Sequence, residues 1–263
     1  MVSTMKPTFV LVPGVFHTAV HAQILVESLH AKGYPTEVIS HPTIGRLAST
    51  ALPDADVAHL RQVLEDLINN QQKEVVLFCH SYGGVPGCQS VHGLERSARA
   101  KAGQKGGIVK IIFLSAVLPR EGENILQTIS AAEVPPSDWV EVDMVTGTSF
   151  ANSKGTAILF HDLPDDQGEH WASKFEPMSA HIVAPPATDV CWDVDVAKVY
   201  ILCKRDRAIP LGCQRRMLER VQGGERGDWI TYEMDCGHSP FLSHVEDLVK
   251  ILTANDLIQS VSK

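Results

Sequence analysis

Short apolar runs rich in β-branched and aromatic residues are spaced along the chain, with stretches of helical periodicity between them. Phe9–Val12 is such a run and stops at Pro13-Gly14, a turn pair. Ile24, Leu25 and Leu29 then form one apolar stripe that Gly33 ends, and Thr36–Ile39 reads as a second short strand. After an irregular, turn-rich stretch over 41–53, Asp54 or Asp56 offers a helix N-cap. The helix behind it carries Val57, Leu60, Val63, Leu64, Leu67 and Ile68 at helical spacing. Glu74–Cys79 predicts a third strand and Ile108–Leu114 a fourth. A basic, glycine-rich segment from Arg96 to Gly107 lies between them and reads as a solvated loop. The order β-α-β-α-β-α-β predicts a parallel sheet with right-handed crossovers.

The rhythm fails between 119 and 191. That stretch holds Pro135-Pro136, Pro164, Pro177 and Pro185-Pro186, with helical pattern only near 122–132 and 165–174. A structureless connection of this length is unusual in a compact domain, so an inserted, mainly helical cap is expected over 119–191. The core then comprises 1–118 and 192–263. Alternation resumes with a strand at Val199–Cys203, a helix at 211–221, a turn at Gly223-Gly224, a strand at Trp229–Met234 and a closing helix carrying Val245, Leu248, Val249 and Leu252. The expected fold class is α/β, a mostly parallel six-stranded sheet flanked by helices, with the cap inserted.

In a parallel sheet, ligands sit beyond the carboxyl ends of the strands. The informative question is which reactive side chains fall just after a strand. Ser81, within Cys79-His80-Ser81-Tyr82-Gly83-Gly84, follows the third. Asp206 follows the strand ending at Cys203, and His238 the one ending at Met234. Ser-x-Gly alone is a weak signal, since Ser153-Lys154-Gly155 repeats it without a preceding strand. Strand context and the chain order Ser, Asp, His carry the expectation of a nucleophile, its orienting carboxylate and a general base. Asp235 is the rival carboxylate, and His244 the other histidine downstream of Asp206. Oxyanion donors are expected at the backbone N–H of Tyr82, and of Val15 behind the tight turn at Gly14.

These features resemble the α/β-hydrolase superfamily, and within it the small esterases and hydroxynitrile lyases that begin almost at the first parallel strand. Phe9–Gly14, the elbow, the mid-chain cap, Asp206 and Gly237-His238-Ser239-Pro240-Phe241 carry the resemblance. Two positions depart from it: Cys79 stands where the family usually has Gly, and Pro13 where it usually has His. The lyase branch resembles a pattern with Lys after the histidine and Thr in the oxyanion loop, where this chain has Ser239 and Gly14.

Composition narrows the functional classes. A net charge of −8 argues against nucleic acid as a partner. Six scattered cysteines without C-x-x-C spacing read as reduced and buried, consistent with a cytoplasmic protein. Twelve histidines show no metal-binding helical spacing, and neither a metal nor a cofactor is expected. No apolar run is long enough to span a membrane. Phe16, His17, Trp139, Phe150, Trp171, Phe175 and Phe241 are candidate pocket residues for a small-molecule substrate, and a homodimer is compatible with the chain. The expected activity is a serine hydrolase acting on an ester or lactone of a small, fairly apolar molecule. The alternatives are a lyase, cyclase or acyl transferase using the same residues, and a small-molecule receptor on this scaffold. Cys79→Gly is expected to preserve or raise esterase activity.

Overall fold

The computed structural model describes residues 6–222 and 229–254. The turn expected at Gly223-Gly224 lies outside the described residues. Strand β1 (Thr8–Val12) is buried along its whole length, and helix α1 (Gln23–Ala31) follows, leading into β2 (Thr36–Val38). Helix α2 (Ala55–Glu65) precedes β3 (Glu74–His80), whose pattern of near-continuous burial suits a strand covered on both faces. Helices α3 (Gly84–Gln89) and α4 (Arg96–Lys101) lead to β4 (Gly107–Leu114). The basic segment is therefore not all loop. Arg99 is buried in α4, where its guanidinium donates to Asn69 Oδ1 and to the carbonyls of Lys105 and Gly106. Those bonds satisfy a charge that would otherwise be costly to bury.

Over 119–191 lie α5 (Ile125–Ala131), β5 (Val140–Asp143), β6 (Thr148–Ala151), α6 (Gly155–Leu159), α7 (Asp165–Ala172) and β7 (Met178–Ser179). Strands β5, β6 and β7 form a three-stranded antiparallel sheet that the sequence pattern does not predict. The chain ends its described course with β8 (Ala197–Cys203), α8 (Leu211–Val221), β9 (Trp229–Met234), α9 (Pro240–Ser243) and α10 (Val245–Leu252).

The main sheet has six strands in the order β2-β1-β3-β4-β8-β9, and every pairing is parallel. The chain leaves β1 toward β2 on one side and returns to β3 on the other. The carboxyl ends of β1 and β3 therefore flank the switch point, where ligands of such sheets bind. Strand pleating divides the core in two. Val75, Leu77 and Cys79 enter one apolar cluster with α2, α3 and α8, while Val76 and Phe78 enter another with α1 and α10. Among the described residues no helix is long and apolar enough to cross a membrane. All six cysteines are free and buried.

Candidate active site

Ser81 follows β3 directly and sits at φ +54°. A side chain in this left-handed region costs about 1–2 kcal/mol, so the surroundings must hold it there. They do so by close approach. A Cβ on Gly83 would collide with the Val12 carbonyl oxygen and lie 2.8 Å from that of Pro13, and one on Gly84 would collide with the Val117 carbonyl. The Ser81 carbonyl accepts a hydrogen bond from the Val117 N–H at 3.0 Å. The turn is thus clamped between the loops that follow β1 and β4.

Asp206 and His238 meet at the same edge. The His238 Nδ1–H donates to Asp206 Oδ2 at 2.7 Å, and both side chains are almost fully buried. The carboxylate is fully engaged: Oδ1 accepts from the N–H groups of Ala208 (2.7 Å) and Ile209 (2.9 Å), and the Ser115 hydroxyl donates to Oδ2. These donors fix the orientation of the carboxylate. With Nδ1 donating, Nε2 is left as the acceptor of the neutral ring. No hydrogen bond joins Ser81 to His238. The two rivals go elsewhere. Asp235 is exposed and paired with Arg205 at 3.3 Å, and His244 Nδ1 lies 3.4 Å from Asp162.

The loop after β1 runs beside the elbow. Gly14 packs against it so closely that a Cβ there would lie 2.9 Å from the Ser81 Cβ. Phe16 has φ +63°, and the Val15 N–H is without a hydrogen-bond partner among the described residues. Tyr82 is the second residue of the short helical turn over 81–83, where backbone N–H groups lack intrahelical acceptors.

A cluster of histidines backs this edge. The His80 ring lies 4.7 Å from that of His238 and donates from Nε2 to the His238 carbonyl at 3.0 Å, which pins the loop bearing the candidate base. His17 donates from Nδ1 to the Val15 carbonyl at 2.7 Å. Burial holds the pKa of both His17 and His80 well below the usual histidine range, with neighbouring histidines lowering each further. Beside them is a cavity of about 30 Å³ bordered by His17, His21, His80, Leu25 and Phe241, enough for a single water. Among the described residues no three His, Cys, Asp or Glu side chains converge so as to hold a metal ion.

Most candidate pocket aromatics gather here. Phe16 meets Trp139 edge-on at 6.1 Å and Phe175 at 6.2 Å, Phe175 stacks on His21 at 5.4 Å, and Trp171 lies 6.0 Å from His21. Phe241 contacts His80 at 4.8 Å and His17 at 5.8 Å. Phe150 falls outside the group. On β6 it is Ser149 that points inward, so its neighbour Phe150 is 39% exposed.

The model of the alpha/beta hydrolase family matches residues 9–251. The chain belongs to that family. It is 27% identical over 256 residues to a "Probable hydrolase R7" of Phoma sp. (strain ATCC 20986 / MF5453), covering 94% of this chain and 97% of that protein. It is 25% identical over 252 residues to the "Alpha/beta hydrolase nvfD" of Aspergillus novofumigatus (strain IBT 16806), covering 94% and 96%. In structure it resembles polyneuridine aldehyde esterase, with a TM-score of 0.73 at 19% identity over 94% of this chain and 98% of that one.

Within this alpha/beta hydrolase, several residues at the site were not singled out from sequence. Ser115 follows β4 directly, so the strand-end criterion that selects Asp206 also selects it. His80 lies inside the elbow motif. Phe160, stacked on Phe175 at 5.3 Å, and Asp162 lie in the stretch over 119–191, where pattern is weakest. Asp162 accepts from the Gly237 N–H at 2.6 Å and from the Ser243 hydroxyl at 2.8 Å, which ties that stretch to the His238 loop.

Proposed function

We propose that this alpha/beta hydrolase is a cofactor-independent serine hydrolase that cleaves an ester or lactone of a small, fairly apolar molecule. One observation carries the reading: a strained serine at the end of β3 shares an edge with a buried Asp–His pair. Ser81 Oγ attacks the carbonyl carbon as His238 Nε2 takes its proton. Asp206 stabilises the resulting imidazolium through the 2.7 Å bond to Nδ1. The tetrahedral oxyanion is held by the N–H groups of Val15 and Tyr82. On collapse, His238 returns the proton to the leaving alkoxide, and water repeats the sequence on the acyl-enzyme. Hydrogen bonds of this kind are commonly long until substrate is bound, which accommodates the missing Ser81–His238 contact. In this reading residues 119–191 act as a cap, and Phe16, Trp139, Phe175 and Phe241 supply an apolar wall.

The test is labelling by a fluorophosphonate probe beside turnover of p-nitrophenyl esters and aryl lactones in ¹⁸O-water. Wild type should be labelled, Ser81→Ala should not, and the acid product should carry ¹⁸O. Labelling without ¹⁸O incorporation would move the activity to non-hydrolytic acyl transfer, and absence of labelling in folded protein would refute the nucleophile.

A further inference from the structure

Tyr82 and the loop after β1 are joined behind the site by one buried carboxylate. Asp56, in the first turn of α2, is 1% exposed. It does not cap the helix; its side chain turns inward. Asp56 Oδ2 accepts from the Tyr82 hydroxyl at 2.9 Å and from the Thr43 hydroxyl at 2.5 Å, and Oδ1 accepts from the Thr43 N–H at 3.0 Å. Those bonds to Thr43 fix the segment after β2. Two residues earlier, His41 donates from Nε2 to the Pro13 carbonyl at 2.9 Å. The ring of His41 also packs edge-on against Tyr82 at 5.4 Å, and its Nδ1 lies 3.4 Å from Asp56 Oδ2. Burial and the Asp56 charge push the Tyr82 phenol well above its usual pKa, so it remains a donor.

We propose that Asp56 is a positioning residue for the oxyanion hole, holding one donor through the Tyr82 hydroxyl and the other through Thr43, His41 and the Pro13 carbonyl. The proposal rests on the reading of Ser81 as the nucleophile. Its physical basis is that donors must be rigid before charge develops, because reorganisation during reaction forfeits their stabilisation. Both donors are backbone groups, one on a loop and one on a three-residue helical turn, and the sheet does not fix a peptide plane beyond its last ladder bond. Pro13 makes an external brace more necessary, since it has no N–H with which to anchor the loop. The His41 bond to its carbonyl supplies that anchor. A buried carboxylate accepting three bonds, each from a different group, is costly to leave half satisfied, so the arrangement resists partial opening.

The experiment uses Tyr82→Phe, Asp56→Asn and the double variant, with active sites counted by fluorophosphonate and kcat and KM measured on a p-nitrophenyl ester. Hydrogen exchange is followed by mass spectrometry in peptides covering 13–17 and 81–84. Tyr82→Phe should lower kcat about 10-fold and Asp56→Asn about 10- to 100-fold, with KM nearly unchanged. The double variant should be no worse than Asp56→Asn alone, because both cut the same link. Exchange should quicken in the two peptides and not in β4 or β8. If folded variants keep wild-type kcat and wild-type exchange at both segments, the proposal is overturned. It is equally overturned if kcat and KM fall together while exchange is unmoved. Should Asp56→Asn fail to fold, Tyr82→Phe, which removes one hydroxyl, decides. If the wild type is not labelled at Ser81, the hydrolase reading fails instead, and the exchange data alone judge whether Asp56 orders the two loops.

Discussion

The strain at Ser81 has a sign that can be measured apart from activity. Ser81→Ala and Ser81→Gly both remove the hydroxyl and keep the carbonyl bond to Val117, and on the proposed function both should abolish turnover. They differ in whether a Cβ occupies the left-handed region at φ +54°. Relief of that conformation is worth about 1–2 kcal/mol to glycine. Glycine's greater freedom in the unfolded chain returns roughly 0.4–1 kcal/mol of it. The glycine variant should therefore be the more stable of the two by about 0.8 kcal/mol, or roughly 2 °C in Tm for a chain of this size. Urea denaturation at equal slope resolves such a difference. Ser90, at φ −107°, provides the internal control, because glycine there should be less stable than alanine. If Ser81→Ala equals or exceeds Ser81→Gly while the Ser90 pair behaves as stated, the turn at Ser81 is not strained and the elbow geometry described above is wrong.

Four further outcomes are expected. Asp206→Asn should lower kcat about 10⁴-fold with little change in KM, because the amide favours the wrong imidazole tautomer; steady-state kinetics on an active-site-titrated sample measures it. Cys79→Gly should keep its activity yet lose about 1–2 kcal/mol, since the buried thiol fills the space facing Gly87, where a Cβ would collide with Sγ. Stability should fall with pH below about 6.5: unfolded His17 and His80 take up protons there while the folded rings, with lowered pKa values, refuse them. The slope approaches roughly 1.4 kcal/mol per pH unit for each, and urea midpoints between pH 7 and 5 should show it; a flat profile would contradict the buried neutral pair. Asp162→Ala should loosen the His238 loop, lowering kcat more than overall stability, with thermal denaturation run beside kinetics.

The six strands of the main sheet were readable because each is a continuous apolar run or a half-buried alternation, bounded by turn residues. Being covered on both faces, Val75–Cys79 and Ile108–Leu114 admit few polar residues, and burial of that kind is written into composition. The smaller sheet has no such signature. Val140–Asp143 and Thr148–Ala151 are short and largely surface-facing, and Met178–Ser179 pairs over two residues, so neither periodicity nor apolar content marks them. Ser81, Asp206 and His238 could be gathered because a parallel sheet sends every strand's end to one edge. Asp56 could not: an acid at a helix start is ordinary, and its partners Thr43 and Tyr82 are 13 and 26 residues away, outside any local pattern. Likewise Asp162 reaches Gly237 across 75 residues of sequence.

The strand order has a consequence for when the protein acquires its chemistry. The elbow is complete once β1, β3 and β4 have paired and the loop through Val117 has followed, whereas Asp206 and His238 ride on loops behind β8 and β9. In the proposed reading, the elbow serine is therefore built more than a hundred residues before the candidate base, His238, leaves the ribosome. On the proposed function, the nascent chain carries an unactivated hydroxyl until β8 and β9 add to the edge beside β4. In that reading, recovery of probe labelling after dilution from urea should trail the burial of the early strands and report the docking of the segment that begins at β8.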